Sequence, residues 1–188
     1  MKEKFNTEQR EELNSIAMRA SDLHKSVNQM YGDKPYSYHL FKVAEVMDKY
    51  VEEDIDYELY KILYFACMFH DSIEDARLTY NDVSKIALKY MSLESAYLAT
   101  EIVYSLTNEK GRTREERANS KYYEGIRNTL HAPFIKACDR LANMTNAQET
   151  GDGMYKKYLK ELPNFLNHIA SESNPVPKDL VQELLNLS

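Results

Sequence analysis

Ile62–Leu63–Tyr64–Phe65–Ala66–Cys67–Met68–Phe69–His70–Asp71–Ser72–Ile73–Glu74–Asp75 is the stretch from which the fold reads outward. Its first part, Ile62 to Phe69, is apolar on every side of a helix, so the spacing predicts a buried central helix from Tyr57 to about Ser72. The run falls far short of the roughly 20 apolar residues of a membrane-spanning helix. It ends in four ionisable side chains, His70, Asp71, Glu74 and Asp75, and an unpaired charge taken into such surroundings is costly. Adjacent His70 and Asp71 leave a helix about 100° apart, within reach of one cation, and Glu74 and Asp75 follow one turn later. Imidazole with carboxylate is a donor set for Mn, Fe or Zn rather than for a soft thiolate metal. The plain alternative is a helix terminus with exposed acids.

Helical periodicity continues on both sides of this segment. A first helix is expected from near Thr7, with Leu13, Ile16, Ala17, Ala20 and Leu23 on one face. Tyr31–Gly32–Asp33–Lys34–Pro35 breaks it, and a second helix begins at about Ser37. Thr79 with Asp82, and Ser92, read as caps for the next two helices. Asn108–Glu109–Lys110–Gly111–Arg112 reads as an exposed, mobile loop. Thr113 and Glu116 have capping-box spacing, and a helix is expected to run from there towards Leu130. Another carries Phe134, Ile135, Ala137, Leu141 and Met144. After Gly151–Asp152–Gly153 comes a helix that Pro163 interrupts or kinks, and Pro175 and Pro177 precede a short last helix.

Five glycines and five prolines in 188 residues leave little for hairpins. Residues 1–188 are therefore read as one all-α domain, a bundle of about eight to ten helices. A net charge of −6 argues against broad nucleic-acid binding. It leaves room for a phosphorylated small molecule, because a divalent cation supplies positive charge locally. Cys67 and Cys138 make no disulfide framework or Cys-rich zinc site and read as packing thiols of a reducing compartment. Met1–Lys2–Glu3–Lys4 opens no signal sequence, so a cytoplasmic protein without membrane association is expected.

Two more segments join the central motif. His39 follows Pro35–Tyr36–Ser37–Tyr38 at the start of an amphipathic helix; alone, a histidine there reads equally as a structural residue. Asp139 sits in Phe134–Ile135–Lys136–Ala137–Cys138–Asp139–Arg140–Leu141–Ala142–Asn143–Met144, a helix that must pack inside. Lys136 and Arg140 are read as facing other sides of that helix, which would strand Asp139 without a cation. Together His39, His70, Asp71 and Asp139 make a single-metal set with positions left for water and substrate.

In this order and spacing the chain resembles the HD-domain phosphohydrolases, and among them the hydrolase domain of the RelA/SpoT family and its small stand-alone alarmone hydrolases. The resemblance spans residues 20–165. His70–Asp71 matches the pair that names the superfamily, His39 after Pro35–Tyr36 matches the first ligand, and Asp139 matches the last. The Glu74–Asp75 extension marks the alarmone branch, and Ser105–Leu106–Thr107–Asn108–Glu109–Lys110 resembles its loop. The resemblance implies an HD-domain helical bundle and Mn²⁺, or another divalent transition metal, as cofactor. It implies removal of pyrophosphate from the 3′ position of ppGpp or pppGpp, a small-molecule nucleotide. Glu74 and Asp75 would orient the attacking water and accept its proton. Asn143 would contact the nucleotide, Lys110 would lie on the phosphate side, and Arg140 would fix carboxylates.

One departure bears on the base. The family usually carries an Arg upstream of the first ligand His, stacked on guanine, where this chain reads Asn28–Gln29–Met30–Tyr31. Tyr31 is the candidate to stack there instead. Two alternatives stay open: an HD phosphohydrolase of another nucleotide (a dNTP, a nucleoside monophosphate or NADPH), or a non-catalytic helical nucleotide-binding protein.

Overall fold

The computed structural model describes residues 5–187, so the polar opening Met1–Lys4 lies outside the described residues. Among those residues the helices are α1 (Thr7–Ser26), α2 (Ser37–Tyr50), α3 (Tyr57–Phe69), α4 (Tyr80–Ala87), α5 (Leu93–Leu106), α6 (Arg114–Arg117), α7 (Ser120–Asn128), α8 (Ala132–Thr150), α9 (Met154–Ile169) and α10 (Lys178–Asn186). The chain is all-α, as expected. Capping residues fix several of the starts: Asn6 and Gln9 form a capping box on α1, and Thr79 and Asp82 form another on α4. Ser92 caps α5 through Ser95 N–H.

α3 is the central helix, buried at every position from Tyr60 to Phe69. Phe65 and Phe69 stack within it at 4.2 Å, and its one buried charged member, Lys61, pairs with Glu12 and with Glu58 of the same helix. Burying such side chains contributes about 1.5–3 kcal/mol each. α2, α5 and α8 pack around α3, and α8 also lies along α2. No helix among the described residues is long and apolar enough to cross a membrane.

Five expectations need correction. The Gly/Pro break after α1 folds as a small antiparallel hairpin, β1 (Met30–Tyr31) and β2 (Lys34–Pro35). Gly32, at φ 62, takes the first loop position, where a II′ turn demands positive φ. α3 ends at Phe69, not Ser72, because the chain tightens there: Ser72 N–H bonds Phe69 C=O at 2.9 Å, so His70 is the C-cap.

The helix expected from Thr113 to Leu130 is two, α6 and α7. Asn119 is extended, and its side chain caps Tyr122 N–H at 3.1 Å, which ends one helix and starts the next. The Asn108–Arg112 loop is pinned rather than free. Glu74 holds the backbone and side-chain amides of Asn108, and Glu109 N–H bonds Arg117 C=O at 3.2 Å. A Cβ on Gly111 would meet Glu116 Cβ at 2.7 Å, so the close return of this loop requires glycine. Pro163, read as interrupting or kinking its helix, lies inside an α9 that continues to Ile169, held by buried Leu162, Phe165 and Ile169.

Candidate functional site

Three helices bring the predicted ligands together. α2 offers His39 from its first turn, the end of α3 offers His70 and Asp71, and the middle of α8 offers Asp139. His39 Nε2 lies 3.2 Å from His70 Nε2 and 3.3 Å from Asp139 Oδ1. His70 Nε2 lies 2.8 Å from Asp71 Oδ2 and 3.7 Å from Asp139 Oδ1. The donor atoms of His39, His70 and Asp71 all lie within 4.8 Å of one another. Asp139 joins them through its approach to the two imidazoles.

The surroundings orient these donors. His70 Nδ1 lies 2.8 Å from Cys67 C=O, so its N–H points there and Nε2 is left facing the cluster. Tyr36 donates its hydroxyl to Asp71 Oδ2. Asn143 Nδ2 donates to Asp139 Oδ1 at 2.5 Å. Lys136 Nζ reaches Asp139 Oδ2 at 2.9 Å, correcting the expectation that Lys136 faces elsewhere: residues three apart on a helix are neighbours. His39 Nδ1 is buried with no hydrogen-bond partner.

The electrostatics favour a cation. Burial favours a neutral Asp71, yet the His70 imidazole beside it holds the carboxyl well below the usual range. Burial acts the same way on Asp139, and Lys136 with His39 overrides it. Burial would depress His70, but Asp71 outweighs it and lifts the imidazole to about 9. The C-terminus of α3, whose carbonyls carry partial negative charge, adds to the field. Two imidazole nitrogens and two carboxylate oxygens turned inward are a donor set that Mn, Fe or Zn accepts, so these residues fit a divalent metal.

His39, Asp71 and Asp139 open onto a cavity of about 700 Å³. Arg114, Arg117, Lys136, Arg140, Lys157 and Lys160 also line it, a concentration of cations in a chain of net charge −6. Glu161 bridges two of them, with Arg114 Nε at 2.7 Å and Arg140 Nη1 at 3.0 Å. Both guanidinium groups lie over the Tyr158 ring, at 5.2 and 4.9 Å. Arg140 thus fixes a carboxylate, as expected. Asn143 also lines the cavity.

The other candidates are placed differently. Tyr31 stacks on the His39 ring at 4.7 Å and donates its hydroxyl to Asn143 Oδ1 at 2.9 Å. Glu74 is exposed and engaged by Asn108. Asp75 accepts from Gln29 Nε2 at 3.2 Å, and burial, aided by Asp71, raises its carboxyl. Lys110 is exposed on its loop, and none of these four lines the cavity. Cys67 and Cys138 are free, buried thiols whose ionisation burial opposes. Sequence reasoning missed the roles of Tyr36, Lys136, Arg114 and Tyr158. Tyr36, three residues before His39, and Lys136, three before Asp139, had a usable helical-spacing signal; Arg114 and Tyr158 had none.

No protein-family model matches the chain, and no curated protein matches it by sequence. A solved structure matches it by fold. It belongs to a metazoan ortholog of SpoT described as hydrolyzing ppGpp and playing a role in starvation responses. The two share 17% identity at a TM-score of 0.65, over 94% of this chain and 93% of that one. The chain therefore shares the all-helical fold of that SpoT ortholog.

Proposed function

We propose that the protein is a metal-dependent phosphohydrolase of a small phosphorylated nucleotide. Within that class we propose a 3′-pyrophosphohydrolase of guanosine 3′,5′-bis(diphosphate) (ppGpp) or pppGpp. The observation that carries the reading is the inward-facing His39–His70–Asp71–Asp139 cluster opening onto a cationic cavity. Its volume, about 700 Å³, suits a nucleotide. The fold shared with a ppGpp-hydrolyzing SpoT ortholog supports the finer substrate.

In this reading His39, His70, Asp71 and Asp139 hold the metal, with Mn²⁺ the first choice. Such a cation lowers the pKa of a bound water and polarises a phosphoryl oxygen. Lys136, beside Asp139 in the cavity wall, places positive charge near the phosphoryl group. Arg114, Arg117, Lys157 and Lys160 bind the remaining phosphates, and Asn143 borders the nucleotide. Glu74 and Asp75 take the part of orienting water and accepting its proton; Asp75 is the nearer in character, being half-buried and hydrogen-bonded by Gln29 and Tyr36. Lys110 stays a candidate for the phosphate side. The two free, buried cysteines suit a cytoplasmic location.

A second reading, hydrolysis of another nucleotide by the same centre, is favoured by one observation. The Asn28–Tyr31 stretch supplies no arginine for a base, and Tyr31 stacks on His39. A cation over a base contributes on the order of 1–2 kcal/mol. An adenine analogue of ppGpp is therefore expected to be cleaved within roughly tenfold of ppGpp, since 1.4 kcal/mol corresponds to tenfold. The experiment is a nucleotide panel with Mn²⁺, its products separated as phosphate, pyrophosphate or triphosphate. Release of pyrophosphate and GDP from ppGpp supports the first reading. An untouched ppGpp with turnover of a dNTP or NADPH supports the second.

A further inference from the structure

We propose that the connection between α1 and α2, residues 28–36, is a strap that sets the metal ligands in place, with Tyr31 as its main positioning residue. This rests on the metal-centre reading above. Three side chains from this connection reach three different carboxyl or amide groups of the site. Gln29 Nε2 donates to Asp75 Oδ2 at 3.2 Å, Tyr31 donates to Asn143 Oδ1 at 2.9 Å, and Tyr36 donates to Asp71 Oδ2. The connection is itself held in shape. Gln29 N–H bonds His24 C=O at 3.0 Å, Tyr31 pairs with Lys34 across the hairpin, and the Tyr36 ring stacks on His24 at 4.4 Å.

Tyr31 acts on two donors at once. Its ring lies nearly parallel to the His39 imidazole, at 4.7 Å and 14°, which fixes the plane in which Nε2 points. Its hydroxyl holds the far end of the Asn143 amide, whose near end faces Asp139. An amide offers an oxygen at one end and an NH₂ at the other. Asp139 Oδ1, the same oxygen that faces His39 and His70 at 3.3 and 3.7 Å, accepts from the NH₂, and Tyr31 O–H anchors the amide by donating to its oxygen. Without that hydroxyl the amide loses one of its two anchors, and Asp139 Oδ1 is held less firmly. One face of the Tyr31 ring and its hydroxyl are therefore committed to the centre rather than offered to a base.

The test is metal binding by the full chain, with Mn²⁺ titrated in competition with a chelator. Tyr31→Phe keeps the stack and loses the hydroxyl; Tyr31→Leu loses both. Partners of metal ligands typically govern affinity by 10–100-fold. Tyr31→Phe is expected to weaken Mn²⁺ about tenfold and Tyr31→Leu by up to about 100-fold. Tyr31→Phe is also expected to alter the visible spectrum of the Co²⁺-loaded chain, with an unchanged melting temperature of the metal-free chain. In turnover, kcat falls while KM for the nucleotide holds. A Tyr31→Phe chain with wild-type Mn²⁺ affinity and Co²⁺ spectrum but a raised KM would overturn the strap and return Tyr31 to the substrate. A wild-type chain that takes up no Mn²⁺ overturns the metal reading itself, and the strap falls with it.

Discussion

The floor of the cavity, where His39, His70, Asp71 and Asp139 meet, is built from side chains with less access to water: 2% for His39, 1% for His70, 9% for Asp139 and 21% for Asp71. The outer wall, from Arg114 to Glu161, is half in water, with 43% and 32% of those two side chains exposed. On the floor, unscreened charges need fixed partners, and nearly every polar atom there has one: Cys67 C=O, Tyr36, Asn143, Lys136. On the wall, long cationic side chains are tied by a shared carboxylate and two tyrosine-facing stacks, which solvent screens. The contrast implies a division of labour. Floor variants should change metal and chemistry, wall variants substrate affinity.

The largest expected effect is on the floor. Asp71→Ala or His70→Ala should abolish hydrolysis with an unchanged far-ultraviolet circular dichroism spectrum; substantial turnover in either would break the contrast at once. Next come the acids one turn on. Glu74→Gln and Asp75→Asn should each retain the metal and lose turnover by a factor on the order of 10². Near wild-type rates in both would mean that neither handles the proton. Smaller is the wall. Lys157→Ala or Arg117→Ala should raise KM several-fold and flatten its salt dependence, with metal affinity unchanged, since each removes one screened cation from the cavity wall. A change in metal affinity there would merge the two regions.

The smallest effect sharpens the wall itself. Glu161→Gln leaves Arg114 and Arg140 without their shared counter-charge. Breaking a buried pair costs a few kcal/mol, and a third-exposed partner reduces this to about 1–2 kcal/mol, visible as a lowered Tm. Burial opposes ionisation of Glu161, but the two guanidinium groups hold it below its ordinary 4.5. A depressed carboxyl stabilises the fold above the unfolded value and loses that contribution as pH falls through the folded one. The gap in Tm between wild type and Glu161→Gln should therefore narrow as pH drops below 4.5. A gap that is constant or widens in acid would show that Glu161 is not a charged partner.

The same contrast explains what could be read from the chain. His70 and Asp71 stood out because they close an apolar run, and Asp139 because it interrupts one; buried polar groups announce themselves against such a background. Starts at Thr7, Ser37 and Leu93 were legible from local caps and breaks. What needed long-range contacts was not. Tyr31 read as a base-stacking residue because its hydroxyl partner lies 112 residues further along. Arg114, Lys157 and Tyr158 look like ordinary surface residues until α6 and α9 face each other across the cavity. The split at Asn119 was hidden because a capping-box pattern at Thr113 and an apolar periodicity beyond it read as one helix. Its own side chain, capping Tyr122, decides otherwise.

The central claim is that one metal is held by side chains from α2, α3 and α8. Elemental analysis of the chain after reconstitution with Mn²⁺ and exhaustive dialysis, run beside Asp71→Ala, tests it most directly. About one transition metal per wild-type chain and little in the variant is the expected result. A wild-type chain without metal, or an Asp71→Ala chain with the wild-type amount, would contradict it.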